Sequence, residues 1–126
     1  WTIGSRADKP IGQQIAELSG GAATNLCGRT DIASAVDLMA LAELVVSNDT
    51  GLMHVAAALK RPLVALYGSS SPEHTPPLSA NARITRIEGL PCSPCYQREC
   101  PLGHFKCLND LTPEQVLGEI VTIEAG

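Results

Sequence analysis

The chain has 126 residues, which suits one domain. Hydrophobic residues make up 44% and aromatic residues 3%, so Leu, Val, Ile and Ala must fill the core, which favours layered α/β packing over an aromatic-rich sandwich. A net charge of −4 excludes the general attraction that nucleic acid or an anionic lipid surface relies on, so any phosphorylated ligand has to be recognised locally.

The opening Trp1-Thr2-Ile3-Gly4 lacks the basic region and cleavage site of a signal peptide, and no apolar stretch approaches the roughly 20 residues of a membrane span. Residues 1–4 read as the end of a buried strand. With no initiating Met, this gives the expectation that a segment lies upstream. Asp8 is placed to cap a helix with Pro10 in its first turn, and Ile11, Ile15, Ala16 and Leu18 follow at helical spacing until Gly20-Gly21. Ala23 to Leu26 is a weak strand. Thr30 or Asp31 caps a helix from Ile32 to about Leu41, with Ile32, Val36, Met39 and Ala40 on one face. Leu44-Val45-Val46 suits a strand covered on both faces, and a helix follows from about Leu52 to Leu59.

Pro62 to Tyr67 is a second buried strand, Ser69 to Ser79 a Ser- and Pro-rich loop, and Arg83 to Ile87 a last strand. Residues 89–110 form a Cys-rich insert with little periodicity. Thr112-Pro113-Glu114-Gln115 starts a C-terminal helix over 112–123, with Thr at the N-cap, Pro at N1 and Gln at N3. Alternating strands and helices with short connections predict a doubly wound, Rossmann-like parallel sheet within a single domain over 1–126.

Ligands of such sheets sit at the carboxyl ends of the strands. There the run Ser47-Asn48-Asp49-Thr50-Gly51-Leu52-Met53-His54 leads from a buried strand into a helix. The helix start offers unpaired N–H groups and about half a unit of positive charge. Gly51 permits close approach, Thr50 adds a hydroxyl, and His54 lies one turn in; together these suit a diphosphate. The plainer reading makes Asp49 or Thr50 an N-cap, Gly51 a turn residue and His54 a surface histidine. The four residues at this spacing weigh against it. Asp8, just past a strand end, is a candidate for ribose hydroxyls, against the plainer role of a helix cap. The loop Gly28-Arg29-Thr30-Asp31 is a candidate to flank a purine.

These segments resemble glycosyltransferase family nine, the lipopolysaccharide heptosyltransferases. The Asp-Thr/Ser-Gly-x-x-His signature stands as Asp49 to His54, and Arg61 through Gly68 and Asn25 through Asp31 look like the family's continuation. Ser71-Pro72-Glu73-His74-Thr75-Pro76-Pro77-Leu78 is similar to the heptosyltransferase II branch. The resemblance implies the C-terminal half of a GT-B fold that binds ADP-heptose. Thr50, Gly51 and His54 would lie on the diphosphate, Asp49 would shape that loop or meet the sugar, Asp8 would hold the ribose, and Thr30 would lie by the adenine. It implies inverting transfer of heptose to the lipopolysaccharide inner core without a catalytic metal. It also implies a cytoplasmic location at the inner face of the inner membrane, with peripheral membrane contact only and no nucleic-acid partner. The family's general base and acceptor site belong to an N-terminal domain outside this sequence, so the chain alone is expected to be inactive. The alternative is a stand-alone nucleotide-binding or regulatory module.

Cys92, Cys95, Cys100 and Cys107 place four thiols within one short segment, with His104 among them. A Cys-x2-Cys knuckle is a common zinc half-site, although the second half does not repeat it. Structural zinc, an iron–sulfur cluster, disulfides formed in air and free thiols all fit the spacing. A zinc-clipped interaction domain is a third class of reading. Cys27 reads as a small buried apolar residue.

Overall fold

The computed structural model of the chain describes residues 1–125. The chain divides into two compact units, Trp1–Leu41 and the remainder from Ala42. Among the described residues no helix is long and apolar enough to cross a membrane.

The first unit holds a short 3-10 turn at Arg6–Asp8 followed by α1 (Lys9–Leu18), and then α2 (Ile32–Leu41). The two expected strands at its start reduce to one parallel bridge, Thr2 with Asn25. Helix α1 ends in a Schellman motif: Gly20 N–H bonds the Glu17 carbonyl, Gly21 N–H bonds that of Ala16, and both glycines have positive φ. Ile11, Ile15 and Leu18 are exposed, so the expected apolar stripe of α1 is not a core face within this unit. In α2 the inward positions are Ala35 and Met39, while Ile32 is exposed, one residue off the expected face. Cys27 is buried, as its apolar character suggests.

The second unit is built on three parallel strands in chain order, β1 (Val45–Asn48), β2 (Leu63–Leu66) and β3 (Ala82–Thr85). The central strand carries the core. Leu63, Val64 and Ala65 are fully buried, and each such Leu or Val side chain contributes roughly 1.5–3 kcal/mol relative to exposure. Helix α3 (Gly51–Ala58) joins β1 to β2 and packs on both through Met53, Ala56 and Ala57. The last helix, α5 (Pro113–Ala125), packs on β3 and β2. Its start is the expected capping box: Thr112 N–H donates to the Gln115 side chain at 2.9 Å, and Gln115 N–H donates back to the Thr112 hydroxyl.

Two departures have physical reasons. The first is β1, which was expected to be covered on both faces. Among the described residues it is an edge strand that pairs only with β2, and Val46 is 46% exposed. The second concerns the Cys-rich segment, which contains a single turn of helix, α4 (Lys106–Asn109), preceded by Phe105 in the left-handed region. Periodicity cannot announce an element of four residues. The parallel link from β2 to β3 contains no helix; the stretch 67–81 makes the crossover as a loop.

Candidate functional site

Because the three strands are parallel, their carboxyl ends share one edge of the sheet. Strand β1 ends at Asn48, and α3 begins at Gly51 after two intervening residues. Thr50 is the N-cap of α3, with extended backbone at φ −143° and ψ 171°, yet its side chain makes no capping hydrogen bond. The hydroxyl is thus exposed beside first-turn N–H groups that have no partner inside the helix. A Cβ built on Gly51 would meet nothing within 4 Å among the described residues, so packing does not demand a glycine there. His54 is exposed one turn along. Thr50, Gly51 and His54 are therefore brought together around an open helix start.

Asp49 plays a different part. Its carboxylate accepts a hydrogen bond from the Thr75 hydroxyl at 2.9 Å. The same hydroxyl lies 3.2 Å from the Ser71 carbonyl, but it has one proton, and the nearer, charged acceptor takes it. The Thr75 carbonyl in turn accepts from the hydroxyl of Tyr67, which is 1% exposed. Burial pushes the Tyr67 phenol above its usual pKa, and the Asp49 charge adds to the effect. The neighbouring His74 hydrogen-bonds the Tyr96 hydroxyl through Nδ1. Sequence reasoning marked Ser71–Leu78 only as a family-like stretch. It assigned no role to Tyr67, Thr75 or Tyr96, whose contacts span 8 to 26 positions and leave no local signal.

In the first unit, Asp8 does not cap α1 with its side chain. Its Oδ2 accepts from both the N–H and the hydroxyl of Ser5, at 2.7 and 2.8 Å, so Ser5 and Asp8 close the 3-10 turn that precedes the helix. The carboxylate remains exposed. The loop bearing Thr30 is tied to the same segment, since Gly28 N–H bonds the Gly4 carbonyl at 2.9 Å. Gly28 has φ +72°, and a Cβ there would stand 2.9 Å from the Arg6 Cα, so the close approach requires glycine. The segments that carry Asp8 and Thr30 are therefore neighbours. The cap of α2 is Asp31, whose carboxylate accepts from Ser34 N–H at 2.7 Å.

Cys92, Cys95, Cys100 and Cys107 all line one cavity of about 80 Å³ in the second unit, together with His104, Leu102, Phe105 and Leu108. All four are free thiols. Backbone N–H groups, that of Phe105 foremost and those of Leu102, His104 and Gly103 after it, hold the Cys100 thiol below its usual pKa. Burial pushes that of Cys107 up, and the negative charges of Cys95, Cys100 and Cys92 push it further. As the side chains stand, among the described residues no three His, Cys, Asp or Glu groups are placed to hold a metal ion. The preformed tetrahedral site that the spacing suggested is not seen.

Comparison with known proteins bears on the same residues. Residues 1–106 match glycosyltransferase family 9 (heptosyltransferase). The lipooligosaccharide heptosyltransferase 2 of Haemophilus ducreyi is 46% identical over 124 residues, covering 94% of this chain and 36% of that protein. The lipopolysaccharide heptosyltransferase 2 of Escherichia coli is 50% identical over 97 residues, covering 76% of this chain and 27% of that protein. The solved structure of the E. coli ADP-heptose lipopolysaccharide heptosyltransferase II superposes with a TM-score of 0.80 at 42% identity, covering 96% of this chain and 34% of that one. The chain thus spans about a third of the length of the relatives it matches. The Asp49–His54 turn, the strand and helix that position it, and the first unit all fall within the matched residues, and the chain belongs to glycosyltransferase family 9, the heptosyltransferases.

Proposed function

We propose that this chain is the donor-binding part of a GT-B glycosyltransferase that moves heptose from ADP-heptose to the lipopolysaccharide inner core, with inversion at the anomeric carbon. The observation that carries the reading is the open start of α3. It combines an unengaged Thr50 hydroxyl, free space above Gly51 and an exposed His54 on a helix end whose dipole favours an anion. In this reading Thr50, Gly51 and His54 hold the diphosphate. Asp49, fixed by Thr75, sets the shape of the turn. Asp8 takes the ribose hydroxyls, and Thr30 lies by the adenine.

As the bond to heptose breaks, negative charge grows on the departing ADP. Fixed N–H donors, the Thr50 hydroxyl and the His54 side chain would stabilise that charge without a metal ion. The general base and the acceptor site are assigned to the remainder of the enzyme, so the chain alone would bind ADP weakly and turn over nothing. The reaction is assigned to the cytoplasm, at the inner face of the inner membrane, where the protein would touch the membrane only peripherally.

Titration with ADP, using GDP and UDP as controls and backbone amide shifts as readout, tests the reading. ADP should move the amides of Asp49 to His54 and of Asp8, with smaller effects from the other two nucleotides. A folded protein extended to the length of its relatives whose amides ignore ADP would sink the proposal.

A further inference from the structure

A bare apolar ring would fill the core at position 67, yet the side chain there carries a hydroxyl out of reach of water. Tyr67 directly follows β2, and its N–H donates to the Thr85 carbonyl at 3.0 Å, so its backbone belongs to the end of the sheet. Its side chain is buried. A buried hydroxyl is unfavourable unless it finds a partner. This one donates its single proton to the Thr75 carbonyl, and its oxygen also touches the Met53 sulfur at 3.5 Å. Burial, with the Asp49 charge adding to it, holds the phenol above its usual pKa and keeps the proton on.

Those two neighbours stand at opposite ends of one turn. Thr75 holds the Asp49 carboxylate through its hydroxyl at 2.9 Å. Met53 is the third residue of α3, fully buried, and its N–H bonds the Thr50 carbonyl at 3.1 Å. Thr50, Gly51 and Leu52 lie between them. The loop that carries Thr75 is folded on buried Ser71, whose carbonyl accepts from the N–H groups of His74 and Thr75 at 3.2 and 3.1 Å. That loop is one compact piece, and the Tyr67 hydroxyl ties it to the end of the central strand.

We propose that the Tyr67 hydroxyl is a positioning group for the nucleotide site, fixing Asp49 relative to the first turn of α3 and so shaping the turn on which Thr50, Gly51 and His54 meet the diphosphate. The inference rests on the reading of that turn as the place where ADP binds. Tyr67 itself touches no ligand. It acts through Thr75 on Asp49, with Met53 packed against it as the reference on the helix side. Tyr67→Phe keeps the ring and loses the tie, so the loop drifts and Asp49 follows it.

ADP titration of the protein extended to the length of its relatives, read by backbone amide shifts, tests this. Tyr67→Phe should weaken ADP binding roughly two- to tenfold, the contribution of one ordinary hydrogen bond, in a chain that urea unfolding shows to be folded. In a Thr75→Val background, where Asp49 has already lost its partner, the same change should weaken binding by less than about twofold. Coupling is reciprocal, so ADP must also favour the bond from Tyr67 to Thr75. In the unaltered protein, saturating ADP should therefore slow exchange of the Tyr67 hydroxyl proton with solvent, read from the ring carbon that bears the oxygen. That measurement decides alone if Tyr67→Phe does not fold. If the unaltered protein binds ADP and Tyr67→Phe binds it equally well, the inference is overturned and the ADP reading stands. Equal losses in both backgrounds, or exchange that ADP leaves unchanged, overturn it in the same way. An unaltered, folded protein that ignores ADP overturns the ADP reading and this inference with it.

Discussion

The Thr75 hydroxyl donates to the Asp49 carboxylate across 2.9 Å, joining a loop to the Asp49–His54 turn 26 positions earlier in the chain. A hydrogen bond to a charged group contributes about 1.5–3 kcal/mol. Thr75→Val removes the donor and keeps the shape. Affinity for ADP should fall by roughly tenfold, the factor that corresponds to about 1.4 kcal/mol, while Thr75→Ser stays near the parent. Calorimetric titration of both variants checks this, and equal affinities for Val and Ser would show that Asp49 needs no such partner.

Gly51 lets a ligand role be tested apart from packing. Its absent side chain has no neighbour within 4 Å, so Gly51→Ala should leave stability within about 0.5 kcal/mol of the parent, or raise it slightly. The same methyl group would occupy the place proposed for the diphosphate and weaken ADP binding. Urea unfolding and ADP titration on one sample distinguish the two effects. Weakened binding together with lost stability would point to a packing role instead.

How far the sequence could be read follows from the range of the contacts. Helix α2 begins and ends where expected because Asp31 caps it locally, and α5 starts at Thr112 for the same reason. The Asp49–His54 turn was legible because strand, turn and helix adjoin in the chain. Tyr67, Thr75 and Tyr96 were not, since their roles exist only once distant segments meet. The exposure of Val46 also escaped prediction: an apolar triplet reads alike in a central and an edge strand, and only the strand order tells them apart.

Lys60 offers a stability test at the opposite end of α3 from Gly51. Helix α3 ends in a Schellman motif, with Lys60 N–H on the Ala57 carbonyl and Arg61 N–H on that of Ala56. Lys60 occupies the left-handed position at φ 56°, which disfavours a side chain by roughly 1–2 kcal/mol. Lys60→Gly should therefore raise the unfolding free energy by about 0.5–1 kcal/mol with ADP affinity unchanged. A drop in the denaturation midpoint would contradict this.

Asp31 predicts a pH effect. Ser34 N–H and the Ser34 hydroxyl favour its charged form and lower its pKa in the fold. A group lowered in this way contributes stability above its unfolded value, about 3.9, and loses it as pH falls through the folded value. Asp31→Asn keeps a cap but cannot titrate, so the parent's advantage over this variant should be largest near neutrality and shrink toward pH 3. Urea midpoints of both proteins at the two pH values test it, and a gap independent of pH would rule it out.

The strand order carries one more consequence. Each parallel strand pairs with the strand adjacent to it in the chain, so no pairing waits on a segment from the far end. Parallel sheets are slow to form when their contacts are distant in sequence. Here β2 finds β1 already made, and β3 finds β2, so the sheet can assemble in the order in which a ribosome delivers it. Segment 89–110 and α5 then follow β3, onto a surface that already exists.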